Sequence, residues 1–138
     1  MTGVGRAALG VAVIMSLVLP ECAGAVELTS AWAPDADKCD KVFVRRGRAK
    51  QIDFAEFSGV HGGGFIIEAD QLRGKFAKCK IKTRKEEGGS LNLIAACATD
   101  IMLSSVQFSV KEIDADSIVR LFPGIEDMEI RYHRCPSQ

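Results

Sequence analysis

A chain of 138 residues that is 47% hydrophobic is long enough for one packed domain and too apolar to be disordered. Its 18 Lys or Arg balance 18 Asp or Glu, and its aromatics do not interleave with the basic residues as a nucleic-acid-binding surface requires. Two histidines, His61 and His133, and the lack of any C-x-x-C pair argue against a zinc or thioredoxin-like site.

Residues 1–25 read as a signal peptide. Arg6 supplies the positive n-region, Leu9 to Leu19 the apolar h-region, and Ala23-Gly24-Ala25 an A-x-A cleavage site. The apolar run falls short of the ~20 residues a spanning helix needs, so no membrane span is expected after cleavage. Cys22 follows Pro20-Glu21, a poor setting for lipidation, and leaves with the leader. The expected mature chain, residues 26–138, is a single β domain with four cysteines: Cys39, Cys79, Cys97 and Cys135. An even number in a short exported chain reads as two disulfides, formed in the periplasm or outside the cell.

Glu27 to Asp40 is an entry segment whose sole Trp32 is expected to plug one end of the core. Asp35 and Asp37 lack the Gly and terminal Glu of a calcium loop. Val42-Phe43-Val44 begins a strand that ends in the basic turn Arg45-Arg46-Gly47-Arg48. Ile52 to Phe57 alternates and then slips a step at Phe57, as at a bulge or a strand end. Ser58 to Gly64 is rich in glycine, Phe65-Ile66-Ile67 resumes the sheet, and Asp70-Gln71 turns the chain into Leu72 to Arg84.

The stretch Lys75 to Ala98 is the centre of this reading. Glu86 to Ser90 is a polar, glycine-containing turn between two strand-like runs. A register symmetric about Gly88 sets Thr83 opposite Leu93, Ile81 opposite Ala95 and Cys79 opposite Cys97, all on one face. That pairing predicts a Cys79–Cys97 bridge and leaves Cys39–Cys135 to tie the start of the fold to its end. The other face carries Lys78, Lys80, Lys82 and Arg84 in a row. Lys41 to Lys85 holds twelve Lys or Arg against four Asp or Glu, whereas Glu86 to Gln138 holds four against nine. The basic row, with the His61 loop, is a candidate surface for an anionic envelope component or another exported protein.

Beyond the hairpin, Ala98 to Leu103 is read as a short helical turn, and Val106, Phe108 and Val110 alternate as a half-buried strand. Asp114 to Ser117 is a turn. Ile118 to Phe122 is a strand stopped by Pro123-Gly124, and the last strand sets Met128, Ile130 and Tyr132 on its inner face. Cys135 falls on the opposite parity, so its bridge is expected to clamp outside the core. About eight short strands at regular spacing predict an all-β fold, a small antiparallel β-barrel or strongly curved meander stapled by two disulfides. Phe54, Phe65, Phe108 and Tyr132 are the candidate lining of any interior cavity.

His61-Gly62-Gly63-Gly64 matches the oxyanion-hole stretch of lipases, but no G-x-S-x-G elbow accompanies it, and no phosphate-binding loop is present. The adjacent Glu86 and Glu87 point to opposite faces of a strand and cannot pair as acid and base. No enzyme activity, cofactor, metal or nucleic-acid partner is expected.

Trp32, Cys39, Phe65-Ile66-Ile67, Cys79, Cys97 and Arg134-Cys135 together resemble a group of small exported alphaproteobacterial proteins with two disulfides and no assigned activity. In size, export and disulfide use the chain is also similar to periplasmic lysozyme and protease inhibitors of small β-barrel type. The function expected is a non-enzymatic binding module of the periplasm or cell exterior. The alternatives are a carrier of a small apolar ligand inside the barrel and a periplasmic inhibitor of a hydrolase.

Overall fold

Alternating side chains need two different environments, and here the wall of a barrel supplies them. The computed structural model describes residues 1–3 and 26–136, so nearly all of the expected signal peptide, with Cys22, lies outside the described residues. Among the described residues ten strands run in chain order: β1 (Ser30–Ala33), β2 (Phe43–Arg46), β3 (Gln51–Phe54), β4 (Phe65–Glu68), β5 (Gln71–Arg73), β6 (Lys78–Glu87), β7 (Ser90–Ala98), β8 (Leu103–Asp114), β9 (Ser117–Leu121) and β10 (Glu129–Cys135). Strands β4 to β10 form an up-and-down meander, and β1 slots between β10 and β4 to close an antiparallel barrel of eight strands. Closure leaves no open edge between the first and last strands of the sheet.

The expected hairpin is present, with Cys79 opposite Cys97 and Ile81 opposite Ala95. Its turn is tighter than expected. The strands run to Glu87 and from Ser90, and Gly88-Gly89 alone make the reversal with φ of 56° and 79°. Two successive positive φ values suit a two-residue hairpin turn, and glycine adopts them without strain. The register then slips by one between Ile81 and Thr83, so Thr83 faces Ile94 and Arg84 faces Leu93. Leu72 to Arg84 is also not one arm. A turn closed by Gly74 N–H to the Ala77 carbonyl at 2.9 Å splits it into β5 and β6.

Inward side chains fill the barrel. Trp32, Leu91, Leu93, Phe108, Val110 and Ile118 are all almost inaccessible, and Trp32 donates its indole N–H to the Leu28 carbonyl at 2.9 Å. Disulfide Cys79–Cys97 lies among them.

A second, smaller core sits on the outside of the wall. There β2 and β3 pair as a separate two-stranded ribbon, with Val42 in a short helical turn (α1, Cys39–Val42) rather than in the expected strand. Val42, Phe43 and Phe54 pack on the outward residues Ala31, Ala33 and Ile66. Cys135 ends β10 on this outer side, and its bridge to Cys39 pins the ribbon segment to the wall, as its parity predicted. The slip at Phe57 is a strand end: β3 stops at Phe54, and Ala55 N–H bonds back to the Val42 carbonyl at 2.9 Å.

Candidate functional site

The basic row does not survive as a strip. Lys78 and Lys80 point outward on β6, but Lys82 is the extra residue of the bulge, and parity reverses beyond it. Arg84, opposite the buried Leu93, therefore turns to the inner side. There it donates to the Val26 carbonyl and to Glu86 at 3.1 Å, closing the mouth of the barrel. Lys80 lies 3.7 Å from Asp70, and Lys85, now outward, lies 2.6 Å from Glu87, which raises the lysine pKa.

His61 ends a 3-10 turn, Ser58–His61, and the three glycines after it have structural work. Gly62 and Gly63 take φ of 90° and 64°, and their N–H groups bond back to the Gly59 and Ser58 carbonyls. Gly64 lies so close to the chain that a Cβ there would stand 2.4 Å from the Trp32 carbonyl oxygen and 3.0 Å from the Phe43 ring. The close approach accounts for glycine at this position.

Three of the four candidate cavity residues meet inside the barrel. Phe65 packs edge-on to Phe108 at 4.9 Å and to Tyr132 at 4.8 Å between ring centroids. Phe54 is not with them. It lies in the outer core, 5.4 Å from Phe43, because β3 belongs to the ribbon and not to the barrel. Met128 likewise precedes β10 and is exposed, whereas Ile130 and Tyr132 face inward as expected.

The two ends of the barrel differ in how far their side chains are engaged. One end carries the hairpin turn, the β4–β5 turn and the β8–β9 turn, with carboxylates that are already engaged. Glu68 meets Arg73 at 3.3 Å, and Glu86, Glu87, Asp70 and Asp116 each have a basic neighbour within 4 Å. Asp114 accepts from the Ser117 hydroxyl at 2.7 Å and the Asp116 N–H at 2.9 Å, which together hold its pKa below the usual carboxylate range. Arg134 stacks 4.5 Å over Trp32 and donates to the carbonyls of Glu27 and Ala115, both at 2.9 Å, so it laces the entry segment to the β8–β9 turn.

The other end is apolar and of mixed charge, with Lys75 on the β5–β6 turn, Lys78 at the start of β6, Asp100 on the β7–β8 turn and Glu126 and Asp127 on the β9–β10 turn. Phe76 on the β5–β6 turn, Ile101 on the β7–β8 turn and Leu103 at the start of β8 are 80%, 91% and 85% exposed. Met102 between them and Phe57 at the end of the ribbon are also exposed. The β7–β8 turn is not helical. Thr99 N–H bonds to the Met102 carbonyl at 3.0 Å, and its hydroxyl accepts from the Ile101 and Met102 N–H groups, so Ile101 is held at the tip. A shallow groove of about 360 Å³ runs between the β5–β6 turn, the β7–β8 turn and Phe54. Lys75 reaches from this rim to the Glu56 carbonyl and lies 5.5 Å from the Phe76 ring centroid. Among the described residues, neither Lys75 nor Lys78 forms an ion pair. The sequence reading missed this rim. Its signal was available in Ile101-Met102-Leu103 and Phe76, apolar residues placed where turns are ordinarily polar.

Among the described residues, no group of three His, Cys, Asp or Glu side chains is gathered to hold a metal ion, and no helix is long and apolar enough to cross a membrane. The two intramolecular bridges are those of an oxidising, extracytoplasmic environment. No family model, curated protein or solved structure matches the chain.

Proposed function

We propose that the chain is an exported, non-enzymatic binding module of the periplasm or cell exterior, acting through the exposed apolar rim of its barrel, beside Lys75 and Lys78, on an anionic envelope component or another exported protein. The observation that carries this reading is the contrast in occupancy between the two ends. Carboxylates at the acidic end are held by arginines, lysines and N–H groups of the same chain. At the opposite rim, Phe76, Ile101 and Leu103 stand in solvent beside Lys75 and Lys78. Exposed large apolar side chains clustered with unpaired charge are more costly to leave free than to cover, and mark an interaction surface on a stable domain. Carriage of a ligand inside the barrel is the weaker reading, because Phe65, Phe108 and Tyr132 already pack on one another.

The test is retention of envelope material by the immobilised, disulfide-bonded chain. Lys75→Glu with Lys78→Glu should lower what is retained while leaving the circular dichroism spectrum unchanged. Equal retention by the variant and the native chain contradicts the rim as the working surface.

A further inference from the structure

We propose that the free edge of the outer ribbon, along β2, is a docking site for an extended, acidic segment of another protein, which adds to β2 as a third strand. This surface lies on the side wall, apart from the rim, and is tested separately from it.

The two edges of the ribbon are not alike. The register sets Val44 opposite Asp53 and Arg45 opposite Ile52, and the Ala55 N–H bonds to the Val42 carbonyl. By alternation, Ile52 and Phe54 turn their backbone groups out along β3, and Phe43 and Arg45 turn theirs out along β2. Side chains occupy most of the β3 edge. Arg73 donates to the Ile52 carbonyl at 2.9 Å, Arg46 donates to the Phe54 carbonyl at 3.4 Å, and Asp53 accepts from the Phe54 N–H at 2.8 Å. Along β2, the Phe43 N–H goes to the Cys39 carbonyl. The Phe43 carbonyl and the N–H and carbonyl of Arg45 bond to no described residue. An open row of this kind is a template for an incoming strand.

The space beside that row is suited to one. A groove of about 260 Å³ adjoins β2, lined by Val44 and Arg45 of the strand, by the Cys39–Cys135 bridge and by Ile52 and Pro136. Every second side chain of an added strand would point into this lining, and an apolar one suits it.

Charge selects the rest of the occupant. The ribbon tip carries Arg45, Arg46, Arg48 and Lys50, and among the described residues only Arg46 of these has a carboxylate within 4 Å, Asp53 at 3.3 Å. Asp53 and Glu68, the latter across an adjoining cleft from Arg45, are both held by Arg73. Asp40, with Lys41 next to it, lines the groove on the α1 side. Free positive charge therefore gathers at the tip end of the edge, and favours an acidic side chain there.

Peptide binding to the purified, disulfide-bonded chain tests this, followed by amide-resolved NMR. A synthetic peptide in which glutamate alternates with valine, blocked at both ends, should shift Val44 to Arg46 and slow exchange of the Arg45 N–H. The same peptide with lysine for glutamate should bind about tenfold more weakly. So should a glutamate peptide methylated throughout its backbone, which has no N–H to give the Arg45 carbonyl. Arg45→Glu with Arg48→Glu should reverse the preference between the glutamate and lysine peptides. Both side chains are exposed, so the circular dichroism of this variant should match that of the native chain.

No binding of the glutamate peptide overturns the proposal, as do shifts that fall elsewhere than β2. Equal binding of the methylated peptide to the native chain overturns it too, since the contact would then be one of charge alone. Should the Arg45 N–H be protected in the free chain in proportion to its concentration, a second copy fills the edge and the acidic segment is wrong.

Discussion

Inside the barrel wall, Leu93, Phe108 and Tyr132 meet side chains from strands that are already paired, and Cys79–Cys97 joins two residues that face each other in a hairpin. Outside it, Val42, Phe43 and Phe54 meet Ala31, Ala33 and Ile66, and Cys39–Cys135 joins residues 96 apart in sequence. The inner core is held by the backbone ladder whether or not its bridge forms. The outer core depends on a four-residue ribbon pair with no ladder bonding to the barrel, so its bridge is the main constraint on its position. One kind of bond thus serves two purposes, set by what else orders the residues it joins.

The largest expected effect separates the two bridges. In the loop-entropy model, closing 96 residues contributes about 4.7 kcal/mol and closing 18 about 3 kcal/mol. The second figure should shrink further, because the hairpin keeps local order when unfolded. Cys39→Ser with Cys135→Ser should therefore destabilise more than Cys79→Ser with Cys97→Ser in urea titration. Amide exchange should quicken first in β2 and β3. Equal losses, or exchange quickening evenly over all strands, would dissolve the distinction.

Next in size is the deletion of one aromatic from each core. Phe108→Ala and Phe54→Ala should each cost about 3–5 kcal/mol, as buried rings do. Only Phe108→Ala should change the near-ultraviolet signal of Tyr132 and Trp32, which share its core.

A smaller effect is expected at Gly64, where the two cores touch. A Cβ would press on the Trp32 carbonyl from the inner core and the Phe43 ring from the outer one. Gly64→Ala should cost about 1–3 kcal/mol by overpacking, read as a shift in the urea midpoint. A neutral result would show that both the β1 backbone at Trp32 and the Phe43 ring give way here.

The smallest effect is one of pH. The Asp114 carboxyl lies below its ordinary range because the Ser117 hydroxyl and the Asp116 N–H bond to its charged form. A group with a depressed folded pKa contributes stability above its unfolded value, near 3.9, and loses it as pH falls through the folded one. Asp114→Asn should thus cost a little stability at neutral pH, leave strongly acidic pH nearly unchanged, and so flatten the acid limb of the stability profile slightly. A steeper acid limb in the variant would reverse the sign.

The barrel was legible in the sequence because a half-buried wall imposes a period of two, as Val106 to Val110 and the Cys79/Cys97 register show. The outer core was not, because β2 and β3 carry the same alternation as barrel strands, and periodicity does not say which side of a wall a strand lies on. Phe54 was therefore placed with the interior. The bulge at Lys82 was equally invisible, since inserting one residue into a run of alternating charges leaves the pattern looking intact, and Arg84 was counted on the wrong face. The rim was missed for a third reason. Its apolar residues lie in turns, where neither period applies and only their mismatch with solvent marks them.

The most direct measurement is amide-resolved NMR of the disulfide-bonded chain titrated with solubilised envelope material. A barrel packed within and working from its rim predicts shift changes at Phe57, Phe76 and Ile101 to Leu103, with Phe65, Phe108 and Tyr132 unmoved. Changes centred on those three interior residues, with the rim silent, would contradict it.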